Sequence, residues 1–344
     1  IVGYFGFEQC LDGLFASLAD PDERVRLAAV EHIPFLDDPR AAPAVERALA
    51  DPAPRVRAAA ARGAEQLEPA AILAALLGAL ADPDAWVRYS AARALGQMRA
   101  AAALEPLERL ARRDPAFQVR IAALRALGRI GGEAAAATLL EFAAAGDAEL
   151  ARAALGGLGQ ARPPGGLPVI LAALRAADPE QRIEAVQALA GYAVGEAESA
   201  LQWTAAVDGD ARVVQAAAGA LAALQTPGAI QALIELLIDQ SRRAAAQSAL
   251  ARLDDRHIPR IAAGLGHPAP AVRCASVAVL AQRTHQTAAL LLPAALDDAD
   301  PAVRLAAVAA LAGRAAGAVR QRLSALAAAD PDPAVRHAAR AALR

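Results

Sequence analysis

Lysine and asparagine are absent from this chain, cysteine occurs twice, and aromatic residues make up only 3% of it. Without lysine, every fixed cation is an arginine, which we read first as the codon bias of a GC-rich bacterial genome and only second as functional. Two lone thiols, Cys10 and Cys274, exclude a disulfide framework and a closely spaced thiolate metal site; they fit a reducing compartment, and a cytoplasmic protein is expected. No apolar run reaches the roughly 18 residues of a membrane span; the best, residues 70–81, stops at Asp82. A signal peptide of the usual form is also missing. Because the chain starts at Ile1 and not at Met, a removed leader or an upstream domain is equally compatible with the sequence. A formal net charge of −2 gives no overall basic footprint for nucleic acid, although a local basic face is compatible with it.

Catalytic and metal-binding patterns are missing as well. No H-E-x-x-H, C-x-x-C, G-x-S-x-G or phosphate-loop spacing occurs, and the five histidines are scattered. Asp254-Asp255-Arg256-His257 offers oxygen and nitrogen ligands, but it stands at a helix start, where capping accounts for it. Most other carboxylates lie in turns. The expectation is a chain without catalytic residues, metal or cofactor.

What is abundant is alanine, followed by leucine and valine, within a hydrophobic content of 56%. Alanine is the best helix former and leucine nearly as good, so an all-α chain with a thin, small-residue core follows. It is built from a repeat. A turn marker appears at Asp20-Pro21, Asp51-Pro52, Asp82-Pro83, Asp114-Pro115, Asp178-Pro179, His267-Pro268, Asp300-Pro301 and Asp330-Pro331, with degraded copies near 147, 210 and 239. Successive intact anchors are about thirty residues apart (51 − 20 = 31, 82 − 51 = 31, 330 − 300 = 30), giving about eleven units. In the third, Ile72, Leu73, Leu76, Leu77 and Leu80 share one helical face. Asp82 and Pro83 then end that helix and start a second, which buries Val87, Ala91, Ala94 and Leu95 and stops at Gly96. Alanine buries little area, at roughly 25 cal/mol per Å². A lone helix pair would not hold, and stacked neighbours make the core continuous.

The pattern D-P-x-x-x-V-R-x-x-A-A-x-A-L-G, carried in the third unit by Asp82, Pro83, Val87, Arg88, Ala91, Ala94 and Leu95, resembles the HEAT repeat, in the short HEAT-like subtype named for phycobilisome lyases. The resemblance covers essentially the whole chain. It implies an α-solenoid, a right-handed superhelix of helix pairs with the second helices on its concave side. For function it implies a family of scaffolds, adaptors, bilin lyases and some DNA-repair glycosylases. It also implies a ladder in which the arginine after the valine reaches a turn aspartate of its own or an adjacent unit: Arg26, Arg57, Arg88, Arg120, Arg273, Arg304 and Arg336, with Asp20, Asp51, Asp82, Asp114, Asp300 and Asp330. If such pairs are exposed, they are worth only ~0–1 kcal/mol each, so the ladder is expected to set register.

The pattern breaks in the middle, where Ala151, Glu184 and Val214 replace that arginine. Gly156-Gly157-Leu158-Gly159 and the stretch 162–166 follow a helix there, so they read as a change of curvature or a hinge near 161–166, between an N-terminal half (1–160) and a C-terminal half (161–344) of one solenoid. Tyr4, Phe5, Phe7 and Phe15 read as a cap over the first unit, and Trp203 as core. One surface stands out. On the second helix, the residues before the valine, two after it and six after it share a face. These are Trp86, Tyr89 and Arg93 in the third unit, with Arg24, Arg55, Arg62, Gln118 and Arg125 among the neighbouring rows. Trp, Tyr and Arg are the side chains that anchor interfaces. The expectation is a protein-binding scaffold that takes an acidic segment of a partner along this band. The alternatives are a bilin- or cofactor-binding lyase or chaperone subunit, and a DNA binder whose arginines follow phosphates, which the near-neutral charge disfavours.

Overall fold

The second helices begin where they do because of a side chain two residues beyond each ladder position. Asp22, Asp84, Asp300 and Asp332 each accept backbone amides from the first turn of the helix they precede. The cap of the third repeat is therefore Asp84 and not Asp82, and the helix starts at Ala85, beyond Pro83. Where the second position holds alanine, a proline at the first helical residue does the same work, as at Pro54 and Pro270.

The structure, a computed structural model, describes residues 8–192, 194–313 and 316–344. The described residues contain 22 α-helices and no strand, and the helices pair into eleven repeats. The chain is an all-α solenoid. It divides into two compact units, Ile1–Tyr192 and Ala193–Arg344. Among the described residues, six helix pairs lie in the first unit and five in the second. Residues 161–166 fall inside the first unit, at the turn between the helices Ala148–Ala161 and Gly166–Ala173.

Within the first unit, second helices pack on second helices. Ala85–Gln97 lies against Phe117–Ile130, which lies against Ala148–Ala161. Val87, Ala91, Ala94 and Leu95 are buried, as are Ile72, Leu76 and Leu80 of the first helix; Leu73 and Leu77 are half-buried. Gly96 does not stop its helix, which runs on to Gln97. A Cβ there would sit 2.7 Å from the Ala126 Cα of the next second helix. The same close approach places Gly128 against Gly157 and Gly159 against Ala188. The 156–159 glycines thus lie inside a helix instead of following one, because only a residue without a side chain fits where two helix backbones come this close.

The arginine ladder joins neighbouring repeats inside each compact unit. Arg88 Nε and Nη2 donate to Asp114 Oδ2 and Oδ1 at 2.7 and 2.9 Å, while Nη1 donates to the carbonyls of Asp82 and Pro83 in its own turn. Arg26–Asp51, Arg57–Asp82, Arg273–Asp298 and Arg304–Asp330 repeat the geometry. The rungs are not exposed: the side chains of Arg88 and Asp114 are 11% and 2% accessible. The value for exposed pairs therefore does not apply to them. Their arginines hold the carboxyls of Asp51, Asp298 and Asp330 below the usual range.

Several expected members fall elsewhere. Asp298 takes the rung, and Asp300 is the helix cap. Asp20 accepts the Asp22 amide. Arg120 finds Ala145 where the next repeat would carry its aspartate, and turns to the Ala111 carbonyl. Arg336 donates to the carbonyls of Asp330 and Pro331, and no aspartate takes its rung among the described residues. In the sixth repeat the ladder position belongs to Arg182, whose Nη1 donates to the carbonyls six and five residues before it, as Arg88 does. Glu184 lies two residues further on, because Asp178-Pro179 is a cap-and-first-turn pair like Asp300-Pro301.

Candidate functional site

The second-helix face of the first three repeats holds a groove of about 310 Å³. The first repeat contributes Leu27 and Glu31, the second Arg55, Ala58 and Arg62, and the third Asp84, Trp86 and Ser90. Trp86 dominates it. Its side chain follows the cap directly, its amide is held by Asp84 Oδ1 at 2.8 Å, and the residue is 63% exposed. Tyr89, one turn on, meets the indole edge-to-face, with centroids 5.7 Å apart at 73°. Such a pair limits the freedom of the indole and leaves a broad apolar face to solvent.

The charges of the groove are fewer than the arginine count suggests. Arg62 pairs with Glu31 across repeats at 2.8 Å. Arg24 folds back on its own cap, Asp22, at 2.7 Å and lies outside the groove; its guanidinium holds the Asp22 carboxyl down at about 2. Arg55 lines the groove without a carboxylate partner among the described residues. Arg93, Gln118 and Arg125 are exposed on neighbouring rows and do not line it. Leu27, Glu31 and Ala58 are legible as the same rows of repeats one and two, but Ser90 and the wall made by Pro54 have no sequence signal.

Further along the unit, Glu184 of the sixth repeat lies against Gly156, where a Cβ would meet its Oε1. Burial pushes its carboxyl above the ordinary range, against the charges of Arg125 and Arg152. An acid with a raised folded pKa adds stability below its unfolded pKa and loses it as pH rises through the folded one. Glu184→Gln, a mimic of the neutral form, should therefore raise the thermal midpoint at pH 7, and the gain should shrink as pH falls toward 4. A gain that persists unchanged at low pH would mean the carboxylate is not the strained form.

Other expectations are corrected. Trp203 is 49% exposed and not core; the buried stripe of its helix is Ala197, Leu201, Thr204 and Ala205, from which position 203 points away. Asp254 makes no capping bond; Asp255 pairs with Arg283 at 3.0 Å, and His257 is buried beside Gln225. Phe15 lies under the Arg40 guanidinium, 4.4 Å from the ring centroid, whereas Tyr4, Phe5 and Phe7 lie outside the described residues. Among the described residues, no group of three or more His, Cys, Asp or Glu is placed to hold a metal, and no helix is long and apolar enough to cross a membrane.

A family model for HEAT repeats matches residues 1–65, 43–127, 73–159, 167–251 and 258–344. No curated protein matches the sequence. Among solved structures, importin beta aligns at a TM-score of 0.50 and 16% identity over 96% of this chain and 54% of its own. Kap95p, a protein that binds RanGDP, aligns at 0.52 and 14% identity over 95% of this chain and 54% of its own. The CpcE–CpcF phycocyanin lyase complex of Nostoc sp. PCC7120 aligns at 0.42 and 21% identity, over 66% of this chain and 92% of the matched one. The chain thus spans about half the length of the importin-type structures it matches.

Proposed function

The chain belongs to the HEAT-repeat family, and from that premise we propose that it is a non-catalytic scaffold that binds an acidic segment of another protein in the Trp86 groove. The observation that supports this most is the indole: a large apolar side chain, 63% exposed, at the edge of a groove shared by three repeats. Aromatic anchors beside arginine are the groups that dominate interface energies. Arg55 inside the groove makes no ion pair among the described residues, and Arg93 and Arg125 are exposed on rows beside it. A partner segment with one buried apolar residue flanked by carboxylates matches that arrangement, and charge complementarity sets its register.

The chain has two tryptophans, so Trp203→Phe leaves Trp86 as the only indole reporter. Titrating that variant with glutamate-rich peptides carrying a single leucine should shift the Trp86 emission to the blue. Trp86→Ala, followed by a labelled peptide, should weaken binding by roughly thirtyfold, the scale of an anchor residue. Arg55→Glu should weaken it further at low salt than at high salt. Emission that stays unmoved by every acidic peptide, or equal affinity of Arg55→Glu, would remove the reading.

A further inference from the structure

The first compact unit has a second depression, at the carboxyl ends of three successive second helices and built from different residues than the groove. It measures about 720 Å³ and is lined by Arg99, Arg129 and Arg162, with Gly131, Gly132 and Gln160. No carboxylate and no aromatic ring lines it. Many guanidiniums of this unit are spent on ladder aspartates, caps and turn carbonyls. Here three guanidiniums from three repeats meet no carboxylate and donate no hydrogen bond among the described residues.

Cations near a helix carboxyl end are favoured by the helix dipole, and that could explain arginines there in a general way. Two observations go beyond it. None of the three guanidiniums donates to a terminal carbonyl, which is the bond a capping role would make. And Arg99 and Arg162 hold left-handed backbone, with φ of 50° and 51°, at the position just past their helices. Glycine adopts positive φ without strain, and a glycine, Gly131 with φ 73°, stands at the end of the intervening helix. Of the three non-glycine residues with positive φ among the described residues, two line this one depression. Strained backbone held at a cluster of unneutralised charge is the pattern of a ligand site.

We propose that this depression binds a small molecule carrying two or more phosphoryl groups. The planar guanidinium fork matches phosphate oxygens in pairs. Three forks arriving from three packed helices, whose axes lie about 8–10 Å apart, suit an anion with several charged centres over a single one. The absence of a ring to stack on sets the recognition on the phosphoryl groups and not on a base or chromophore.

The probe is inorganic tripolyphosphate, titrated calorimetrically at low salt into the full chain, with orthophosphate and citrate as separate arms. Tripolyphosphate should bind tightest, and its affinity should fall about tenfold per guanidinium lost, so about a hundredfold in the Arg99→Gly/Arg162→Gly double variant. Glycine relieves the left-handed backbone at both positions, so the thermal midpoint of that variant without ligand should not fall. Arg129→Gln, inside a helix, provides a second loss of affinity that leaves the two turns untouched. Arg55→Glu, in the other groove, should leave tripolyphosphate binding unchanged, which separates this site from the partner groove. Binding absent in the wild type, unchanged in the double variant, or as tight for citrate as for tripolyphosphate would overturn the proposal.

Discussion

Asp114→Ala should lower the stability of the first compact unit by about 3–5 kcal/mol, the usual scale for breaking a buried ion pair from one side. The rung it removes is nearly closed to solvent, with 11% of the Arg88 side chain and 2% of the Asp114 side chain accessible. Without the carboxylate, Arg88 Nε and Nη2 stay buried with nothing to donate to, while Nη1 keeps its bonds to the Asp82 and Pro83 carbonyls, so the guanidinium cannot swing out without losing those too. The Ala116 amide also loses the acceptor that ties down the turn, at 2.8 Å. An exposed pair on the same unit offers the contrast. Glu105 and Arg109 are 84% and 59% accessible, and Glu105→Ala should change stability by no more than about 0.5 kcal/mol. Repeat arrays unfold in parts, so the measurement is native-state hydrogen exchange in the helices Ala85–Gln97 and Phe117–Ile130, together with urea unfolding. The double replacement Arg88→Met/Asp114→Leu should recover much of the loss, because apolar residues of similar size often replace a buried pair at little net change. A loss below about 1 kcal/mol for Asp114→Ala would mean that the rung sets register and little else.

Why some of this was legible in the sequence and some was not follows from where the information is stored. The helix pairs and the period come from local signals, namely a turn, a cap and an alanine stripe, and these can be read within fifteen residues. The register of the ladder is subtler. An Asp-Pro dipeptide can stand at either of two positions: as rung and turn at Asp82-Pro83, or as cap and first helical residue at Asp300-Pro301. Counting back from the arginine resolves this, since the carbonyl it grips always lies six residues before it, at Asp82 for Arg88 and Asp298 for Arg304. The same count identifies Arg182 and moves Glu184 off the ladder. Trp86 and Tyr89 were visible as departures from the repeat consensus. The Arg62–Glu31 pair was not, because it depends on the distance between repeats and on which neighbour an arginine finds first. Arg99, Arg129 and Arg162 carry no mark in the sequence for a related reason. They stand at different offsets from their repeat anchors (99 − 82 = 17, 129 − 114 = 15), and only the common level at which three helices end brings them together.

Gly128→Ala should destabilise the first unit by about 1 kcal/mol or more, although the same substitution normally stabilises a helix by about 1 kcal/mol. Two effects of opposite sign compete at this position, and the geometry decides between them. Gly128 lies within the helix Phe117–Ile130, where alanine has the better propensity. Its added Cβ, however, would stand 2.4 Å from the Cα and 2.9 Å from the carbonyl oxygen of Gly157 in the next second helix. Both are backbone atoms, so no rotamer change relieves the clash and one helix must move. Overpacking of that kind costs about 1–3 kcal/mol, enough to reverse the gain in propensity. Gly78 isolates the other effect: it is exposed, helical, and has nothing within 4 Å of an added Cβ, so Gly78→Ala should stabilise by about 0.5–1 kcal/mol. The two alanine variants are thus expected to move the thermal midpoint in opposite directions, and a stabilised Gly128→Ala would show that the helix contact yields more easily than its backbone spacing implies. The consequence reaches the arginine depression as well. Gly128 is part of its lining and directly precedes Arg129, so a helix pushed away from Gly157 carries that guanidinium with it. Gly128→Ala should therefore weaken tripolyphosphate binding without removing a single charge, and Gly78→Ala should leave it untouched.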